Sequence, residues 1–240
     1  MTNLLPNTFQ HHISKEAVQD LPLVRFSGEV IVIDKPENVH EAVEYLKSQE
    51  MIGVDTEARP SFTRGVHYPT ALVQIATEER CYLFRLTHIG MPAELTEVFS
   101  DNKICKIGLA FRDDLNGLRR RRDFTPANCV EIQSLVWKYG ILDLGLQKIF
   151  AIIYGQKISK AQQLTNWENT HLTAEQARYA STDAWATLLI YKRLIATAKL
   201  SKAEAEALRR ADLEAQQQHQ MEVLAQRQQQ QHDNDTTEKA

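Results

Sequence analysis

The sequence predicts an α/β protein, in which a mixed sheet is flanked by helices and followed by a C-terminal helical tail. Short apolar runs alternate with segments whose apolar residues recur every three or four positions, as expected for strands alternating with amphipathic helices. Two of the apolar runs are separated only by the polar residues 77–80, which indicates an antiparallel hairpin. After residue 200 the composition shifts to alanine, glutamate, glutamine and arginine, which favours a helix with few apolar positions.

The first half of the chain supplies an arm, four strands and one helix. Residues 1–28 lack a clear periodicity and are predicted to form an N-terminal arm that packs partly on the surface. After Pro36, the apolar spacing of residues 37–49 predicts a helix. The predicted strands are residues 29–34, 51–55, 71–76 and 81–84.

Strands and helices continue to alternate in the second half. Pro92 marks the start of a helix, residues 103–109 predict a strand, and another helix is expected to begin near Arg112. Thr173 stands where an N-cap would, with Gln176 three residues later, which is the spacing of a capping box. The other predicted helices are residues 131–139, 145–154 and 173–197, and the whole unit is predicted to span residues 29–199.

Composition limits the classes of partner. The formal net charge is −3, and the acidic excess lies in residues 200–240, so the neutral remainder carries no basic footprint of a nucleic-acid or membrane partner. No window approaches 18 uninterrupted apolar residues, and the N-terminus lacks the regions of a secretory signal, so we expect no membrane partner. The three cysteines, an odd number, are predicted to be reduced, buried and structural, which indicates a cytoplasmic protein.

The tail, residues 200–240, is predicted to be a glutamine-rich helix that frays into a disordered tip. Residues 201–204 have capping-box spacing, and nine of the residues from 216 to 240 are glutamine. Its apolar positions are few and sustained heptads are absent. A helix that binds a protein partner or self-associates is the alternative.

The residues most informative about chemistry are carboxylates from separate segments. Asp55 and Glu57 end an apolar strand and, being two residues apart, point to the same face. Asp114 follows another strand, and Asp183 lies about one helical turn after Tyr179, so these two share a face. Converging carboxylates would repel each other unless a cation held them, and Mg²⁺ or Mn²⁺ binds through such oxygens. A site that holds two such ions is typical of enzymes that hydrolyse phosphodiester bonds.

Three segments of the sequence together resemble the motifs of a known family. They are residues 53–57 (Gly-Val-Asp-Thr-Glu), residues 106–114 with the leucines that follow, and residues 179–183 (Tyr-Ala-Ser-Thr-Asp). In order and separation they are similar to the three exonuclease motifs of the DEDD superfamily, and especially to ribonuclease D and Werner-type 3'-5' exonucleases. A tryptophan-containing stretch before the third motif, residues 164–168, is also typical of ribonuclease D-like proteins. The resemblance spans about residues 29–198.

The resemblance implies a ribonuclease H-like fold and a two-metal mechanism. Carried over by position, Asp55 would bridge both ions, Glu57 and Asp183 would hold the ion that generates hydroxide, and Asp114 would hold the second ion mostly through water. Tyr179 would orient the attacking water as a neutral phenol. The histidine variant of the family would need histidine at position 178, where this chain has arginine, so the tyrosine subtype is favoured.

The second motif contains two adjacent aspartates. We assign Asp114 rather than Asp113, because Leu118 then lies one turn further along the same helical face, as in the family pattern.

Five further residues are predicted to contact substrate. Thr56 lies between the first two carboxylates, and Phe62, in the loop that follows, is expected to stack on a terminal base. Arg119 opens a run of four arginines, for which a solvated helix face is the alternative. Trp167 lies near the third motif, with burial in the core as its alternative, and Leu118 completes the set.

We therefore predict a 3'-5' exonuclease that depends on two divalent ions, Mg²⁺ or Mn²⁺, and acts on single-stranded or frayed 3' ends of DNA or RNA. The alternative is a non-catalytic nucleic-acid-binding or scaffold protein that recruits a partner through its tail. A third hypothesis is hydrolysis of short oligonucleotides or another phosphodiester by the same site.

Overall fold

The structure, a computed structural model, describes residues 4–237, with side chains to residue 226 except those of residues 219 and 225. The first three residues of the predicted arm and the last three of the predicted tail lie outside the described residues. Within the described range, no helix combines the length and apolar character needed to cross a membrane.

A mixed sheet forms the centre of the molecule, as predicted, and it has six strands, of which the last, Cys129–Glu131, was not predicted. β2, β3 and β4 are antiparallel neighbours, so the predicted hairpin is confirmed, while β1 runs parallel to β4. On the other side, β5 runs parallel to β2 and β6 parallel to β5, which completes the order β1-β4-β3-β2-β5-β6. The strands are β1 Glu29–Ile33, β2 Met51–Ala58, β3 Thr70–Ala76, β4 Arg80–Arg85, β5 Cys105–Gly108 and β6 Cys129–Glu131.

Helices cover both faces of this sheet. The helix Ala174–Ile195 crosses strands β2 to β5 on one face of the sheet. Its N-terminus carries the predicted capping box between Thr173 and Gln176. The helices are α1 Lys15–Gln19, α2 Val39–Lys47, α3 Leu86–Ile89, α4 Ala93–Ser100, α5 Phe111–Arg121, α6 Leu146–Tyr154, α7 Ala174–Ile195 and α8 Lys202–Thr237.

Separate apolar clusters fill the two faces. On one side, α2, α4 and α5 bury residues such as Leu46 and Phe99 against β2 and β4. On the other side, α7 places the small residues Ala180 and Ala184 against Ala76 and its neighbours. Small side chains let a helix backbone come close to a sheet, and this closeness determines the geometry of the site described below.

The helix predicted at residues 131–139 is wrong. The segment starts as the last residue of β6 and continues as two 3₁₀ helices, Ile132–Ser134 and Val136–Tyr139. The Glu131 carboxylate explains the difference, because it accepts hydrogen bonds from the backbone amides of Ala110 and Phe111 at 3.1 and 2.6 Å. Because these hydrogen bonds tie Glu131 to the start of α5, the segment begins as a strand of the sheet and not as a helix.

The prediction of three buried cysteines is also wrong in part. Cys81 is buried, Cys105 is half-buried and Cys129 is exposed at the edge strand β6, and all three thiols are free. An edge strand has solvent on one side, so the apolar run around Cys129 does not ensure burial.

The N-terminal arm packs on the domain and contains the short helix α1. Leu5 forms a bridge with Thr197, and the amide of Val24 donates to the carbonyl of Lys157 at 2.9 Å. The arm therefore touches the chain on both sides of α7.

Among its side chains that the structure describes, helix α8 docks by those of its first turns. Ala205 is buried, Arg209 stacks on Trp137 at 5.4 Å, and Asp212 lies 3.0 Å from His12 of the arm. Beyond this point the apolar residues Leu213, Met221 and Leu224 are exposed. The helix continues to Thr237, and residues 238–240, the end of the predicted disordered tip, lie outside the described residues.

Candidate active site

The C-terminal half of β2 carries the first two carboxylates. Because strand residues alternate in direction, Gly53, Asp55 and Glu57 share the sheet face that α7 covers. In the register with β3, Asp55 lies opposite Gln74 and Glu57 opposite Leu72. The strand thus holds both carboxylates on a rigid element at the edge of the helix.

Helix α7 brings the third carboxylate and the phenol. Asp183 and Tyr179 lie one turn apart on the face toward β2, and Asp183 is 7% exposed. Carboxylate oxygens of Asp55, Glu57 and Asp183 lie within 4.8 Å of one another. Two distant segments therefore meet in one acidic cluster, which the sequence analysis predicted as a metal site.

Asp114 stands beside this cluster rather than in it. It lies in the first turn of α5, where the Thr56 hydroxyl donates to its carboxylate at 2.5 Å. Asp113, the adjacent aspartate, is exposed. The structure thus directs Asp114 toward β2 and Asp113 toward solvent.

Burial raises the pKa values of all four carboxyl groups, and the charges of neighbouring carboxylates raise those of Asp55, Glu57 and Asp114 further. Burial, and then the charge of Asp183, raises the pKa of Asp55 well above its usual range. Burial with the charges of Asp55 and Asp183 raises the pKa of Glu57 to about 10. Burial and Asp55 raise the pKa of Asp114 to about 8, against a hydrogen bond from Thr56 that lowers it. Without a cation, these groups cannot all ionise at neutral pH.

Tyr179 and Lys160 both interact with Asp183. Burial raises the pKa of Asp183 to about 7, while the Tyr179 phenol and the Lys160 ammonium act to lower it. Burial and the charge of Asp183 raise the pKa of Tyr179 above its usual range. The phenol therefore stays neutral at physiological pH.

A cavity of about 330 Å³ opens over the cluster. Its walls include Asp55, Glu57, Asp183 and Tyr179, together with Lys160 and Gln147 from the segments around α6. Hard oxygen donors at this spacing fit Mg²⁺ or Mn²⁺ better than soft metals. The raised pKa values support the same conclusion, because a bound cation would offset both the burial and the repulsion that raise them. The donor set therefore fits divalent metal ions.

The predicted substrate contacts divide into accessible and buried residues. Thr56 lines the cavity, and Phe62 is 84% exposed in the loop after β2. Arg119 is exposed, pairs with Asp123 at 3.4 Å, and lines a separate groove of about 300 Å³ rather than the cavity over the carboxylates.

The predictions of substrate contact by Leu118 and Trp167 are corrected by their burial. Both side chains are 0% exposed. Leu118 packs in the cluster beneath α5, and Trp167 packs under α7 with its ring 6.0 Å from that of Tyr179. Neither side chain offers surface to a substrate, and Trp167 instead supports the Tyr179 ring.

Sequence reasoning did not find Lys160 or Arg85. Lys160 lies in a loop without periodicity, so nothing in the pattern pointed to the cavity wall. Arg85 is 2% exposed and donates to the carbonyl oxygens of Thr170, at 2.6 Å, and of Asn169. It holds the loop that precedes α7. Its signal was a lone arginine at the end of the buried strand β4.

Comparison with known proteins gives one family. A family profile described as 3'-5' exonuclease matches residues 30–198. The bifunctional 3'-5' exonuclease/ATP-dependent helicase WRN of Mus musculus is 26% identical over 76% of this chain and 14% of its own length. A 3'-5' exonuclease of Arabidopsis thaliana is 26% identical over 76% of this chain and 69% of its own length. The chain thus spans only a small part of the mouse relative.

Solved structures share the fold. Escherichia coli RNase D, described as an exoribonuclease involved in structured RNA processing, superposes with a TM-score of 0.63 at 23% identity. The match covers 75% of this chain and 46% of that one. The likeness shows the same sheet with flanking helices.

Proposed function

This chain belongs to the 3'-5' exonuclease family, and on that premise we propose that it releases nucleoside 5'-monophosphates from the 3' end of DNA or RNA by a two-metal mechanism. As a DEDD-type 3'-5' exonuclease it is a hydrolase that acts on nucleic acids. The observation that carries the proposal is the meeting of three carboxylates from β2 and α7 beside a neutral phenol.

We assign the two ions, Mg²⁺ or Mn²⁺, to Asp55, Glu57 and Asp183, with Asp114 at the second ion. When bound, such ions activate the attacking water and stabilise the leaving oxygen of an in-line displacement. Tyr179 orients the attacking water, because its raised pKa keeps the hydroxyl proton available for a hydrogen bond. Asp114 lies outside the cluster, which suits a ligand that acts mostly through water.

The test is degradation of 5'-labelled and 3'-labelled oligonucleotides, with matched DNA and RNA sequences. We expect 5'-labelled strands to shorten progressively and 3'-labelled strands to release mononucleotides, with Mg²⁺ or Mn²⁺ and not with EDTA. Asp55→Asn and Asp183→Asn should each lose more than about 100-fold in rate, since even outer-shell changes at metal sites cost 10–100-fold. Asp113→Asn, an exposed carboxyl, is the matched control. Substrates left intact by the wild-type protein with both ions would contradict the proposal.

Thr56, Phe62 and Arg119 remain proposed substrate contacts. The exposure of Phe62 supports stacking on a base, so Phe62→Ala should raise KM roughly tenfold. Arg119→Ala combined with Arg120→Ala should weaken the salt dependence of oligonucleotide binding. An unchanged salt slope would remove Arg119 from the substrate interface.

We propose residues 29–199 as the catalytic unit, 1–28 as an arm and 200–240 as a tail that serves a protein partner or self-association. The exposed Leu213, Met221 and Leu224 support this role of the tail. A chain ending at Asp212 keeps the docked turns of α8, so it should keep hydrolysis and lose any self-association that light scattering detects in the full chain. The three free thiols support a reducing, cytoplasmic location.

A further inference from the structure

A second cavity shares Tyr179 as a wall with the cavity over the carboxylates. It measures about 70 Å³, which is room for several water molecules or one phosphate group. Ser159 and Tyr179 line both this cavity and the one over the carboxylates. A nucleic-acid strand whose 3' end occupies the larger cavity therefore has a second concave surface beside it.

The walls of this cavity come from the arm, α7 and the loop before α7. The arm supplies Arg25, and its backbone is fixed on both sides of that residue. The amide of Val24 donates to the carbonyl of Lys157 at 2.9 Å, and the amide of Phe26 donates to the Thr182 hydroxyl at 3.1 Å. Arg25 is thus presented from a pinned segment that lies outside the residues matching the family profile.

The charge of the cavity is positive. Arg25 and Arg178 line it, and Lys160 stands next to it in the larger cavity. The acid among the lining residues is Glu175, which approaches Arg25 only to 4.0 Å, with side chains 44% and 58% exposed. Such an ion pair contributes about 0–1 kcal/mol and yields readily to a stronger anion. Among the residues that the structure describes, Arg178 forms no ion pair.

We propose that this cavity, which we call the Arg25–Arg178 pocket, binds a phosphate group of the substrate strand on the 5' side of the scissile linkage. The guanidinium groups of Arg25 and Arg178 donate to phosphate oxygens, which is the pairing that guanidinium geometry favours. The inference rests on the proposed function. It also explains how a neutral domain with an acidic site attracts a polyanion, since two arginines and Lys160 lie along one wall.

The experiment measures oligonucleotide binding by fluorescence anisotropy in Ca²⁺, with a phosphorothioate at the scissile linkage to prevent cleavage. Single-stranded oligonucleotides carry one neutral methylphosphonate in turn at each of the four linkages on the 5' side of the scissile one, which keeps its phosphorothioate. The variants are Arg25→Gln, Arg178→Gln and their combination. Arg193→Gln, an exposed arginine at the other end of α7, is the matched control. Because all three arginines are exposed, the variants should keep the wild-type Tm.

For the wild-type protein we expect one internal linkage, on the 5' side of the scissile one, at which the methylphosphonate weakens binding roughly tenfold. The double variant should bind the all-phosphate strand about tenfold more weakly, with a salt slope lower by about 0.7, and should lose nothing further at that linkage. The proposal would be overturned if the affinity lost through the methylphosphonate and the affinity lost through the double substitution multiplied at every linkage. It would also be overturned if the double variant bound the strand as tightly as Arg193→Gln does.

Further outcomes distinguish binding of the substrate strand in this pocket from binding of free phosphate and from failure of the proposed function. If inorganic phosphate or a nucleoside monophosphate competes equally well for wild type and double variant, it binds elsewhere and the strand assignment stands. Competition that only the wild type shows, without a sensitive internal linkage, would instead assign the pocket to free phosphate and overturn the strand assignment. A wild-type protein that neither binds nor degrades any strand overturns the proposed function too, whereas intact degradation with unaffected variants overturns the pocket alone.

Discussion

Gly53 of β2 lies so close to Ala184 of α7 that a Cβ atom built on the glycine would stand 2.0 Å from the Ala184 carbonyl oxygen. The hydroxyl oxygen of Thr187 would lie 2.9 Å from that Cβ atom. Only a residue without a side chain allows this approach, and Asp55 and Asp183 lie two residues and one residue from the contact. The closeness of strand and helix is what brings their carboxylates together.

Gly53→Ala should therefore push α7 away from β2. Overpacking of this kind costs about 1–3 kcal/mol of unfolding free energy, and the separated carboxylates should bind Mn²⁺ less tightly. Urea denaturation and Mn²⁺ titration by calorimetry measure the two effects. Gly145→Ala is the control for stability, because a Cβ there meets nothing within 4 Å and its φ of −85° suits alanine. Since Gly145 is the N-cap of α6, we expect this control to cost about 1 kcal/mol or less. Unchanged Mn²⁺ affinity in Gly53→Ala would mean that the approach does not determine the site.

The two aspartates at the start of α5 should differ sharply in activity. Asp114 receives the Thr56 hydroxyl at 2.5 Å, whereas Asp113 faces solvent. Asp114→Ala should lower kcat by about 100-fold or more, as expected when a metal site is misplaced, and Asp113→Ala should stay within about twofold of wild type. Initial rates on a labelled oligonucleotide decide the matter. The reverse ranking would move the second-motif role to Asp113.

Local periodicity explains why much of the site was predictable from the sequence. A period of two residues places Asp55 and Glu57 on one strand face, and one helical turn places Tyr179 beside Asp183. Leu118 and Trp167 are apolar residues, for which burial in the core was always an option, but only tertiary packing decides between the core and the substrate groove. Lys160 lies in an irregular loop held through Arg85, so its position follows from long-range contacts rather than from spacing.

The acidic cluster should destabilise the metal-free protein as pH rises. Folding raises the pKa of Asp183 to about 7, of Asp114 to about 8 and of Glu57 to about 10, against ordinary values near 4. The folded protein therefore binds more protons than the unfolded chain between about pH 4 and pH 10, and stability is lost as pH rises through the folded values. In EDTA, Tm should fall by at least about 3 °C from pH 6 to pH 9.

Two comparisons isolate the cluster as the cause of that fall. Asp183→Asn should flatten the decline of Tm, and Asp113→Asn should not, because its carboxyl group is exposed. Added Mn²⁺ should raise Tm more at pH 8 than at pH 6, since ligands must lose their protons to bind metal. A metal-free Tm that rises between pH 6 and pH 9 would contradict the shifted pKa values.

Gln74→Leu should stabilise the protein. Gln74 is 0% exposed in β3, and neither polar atom of its amide has a hydrogen-bond partner among the residues that the structure describes. An unpaired buried amide costs about 1–3 kcal/mol, and leucine has a similar volume, so the substitution should raise the unfolding free energy by about that amount. Urea denaturation in EDTA measures it without interference from metal binding.

Gln176→Leu is the matched control for that experiment. Gln176 is also buried, at 1% exposure, but its amide nitrogen donates to the Thr165 hydroxyl at 3.0 Å, and its oxygen accepts from the Thr173 amide at 3.1 Å. The amide nitrogen also donates to the Asn166 carbonyl at 3.2 Å, and leucine removes all three hydrogen bonds, so it should destabilise where Gln74→Leu stabilises. Equal destabilisation by the two substitutions would show that the Gln74 amide has a partner of its own, such as a buried water molecule.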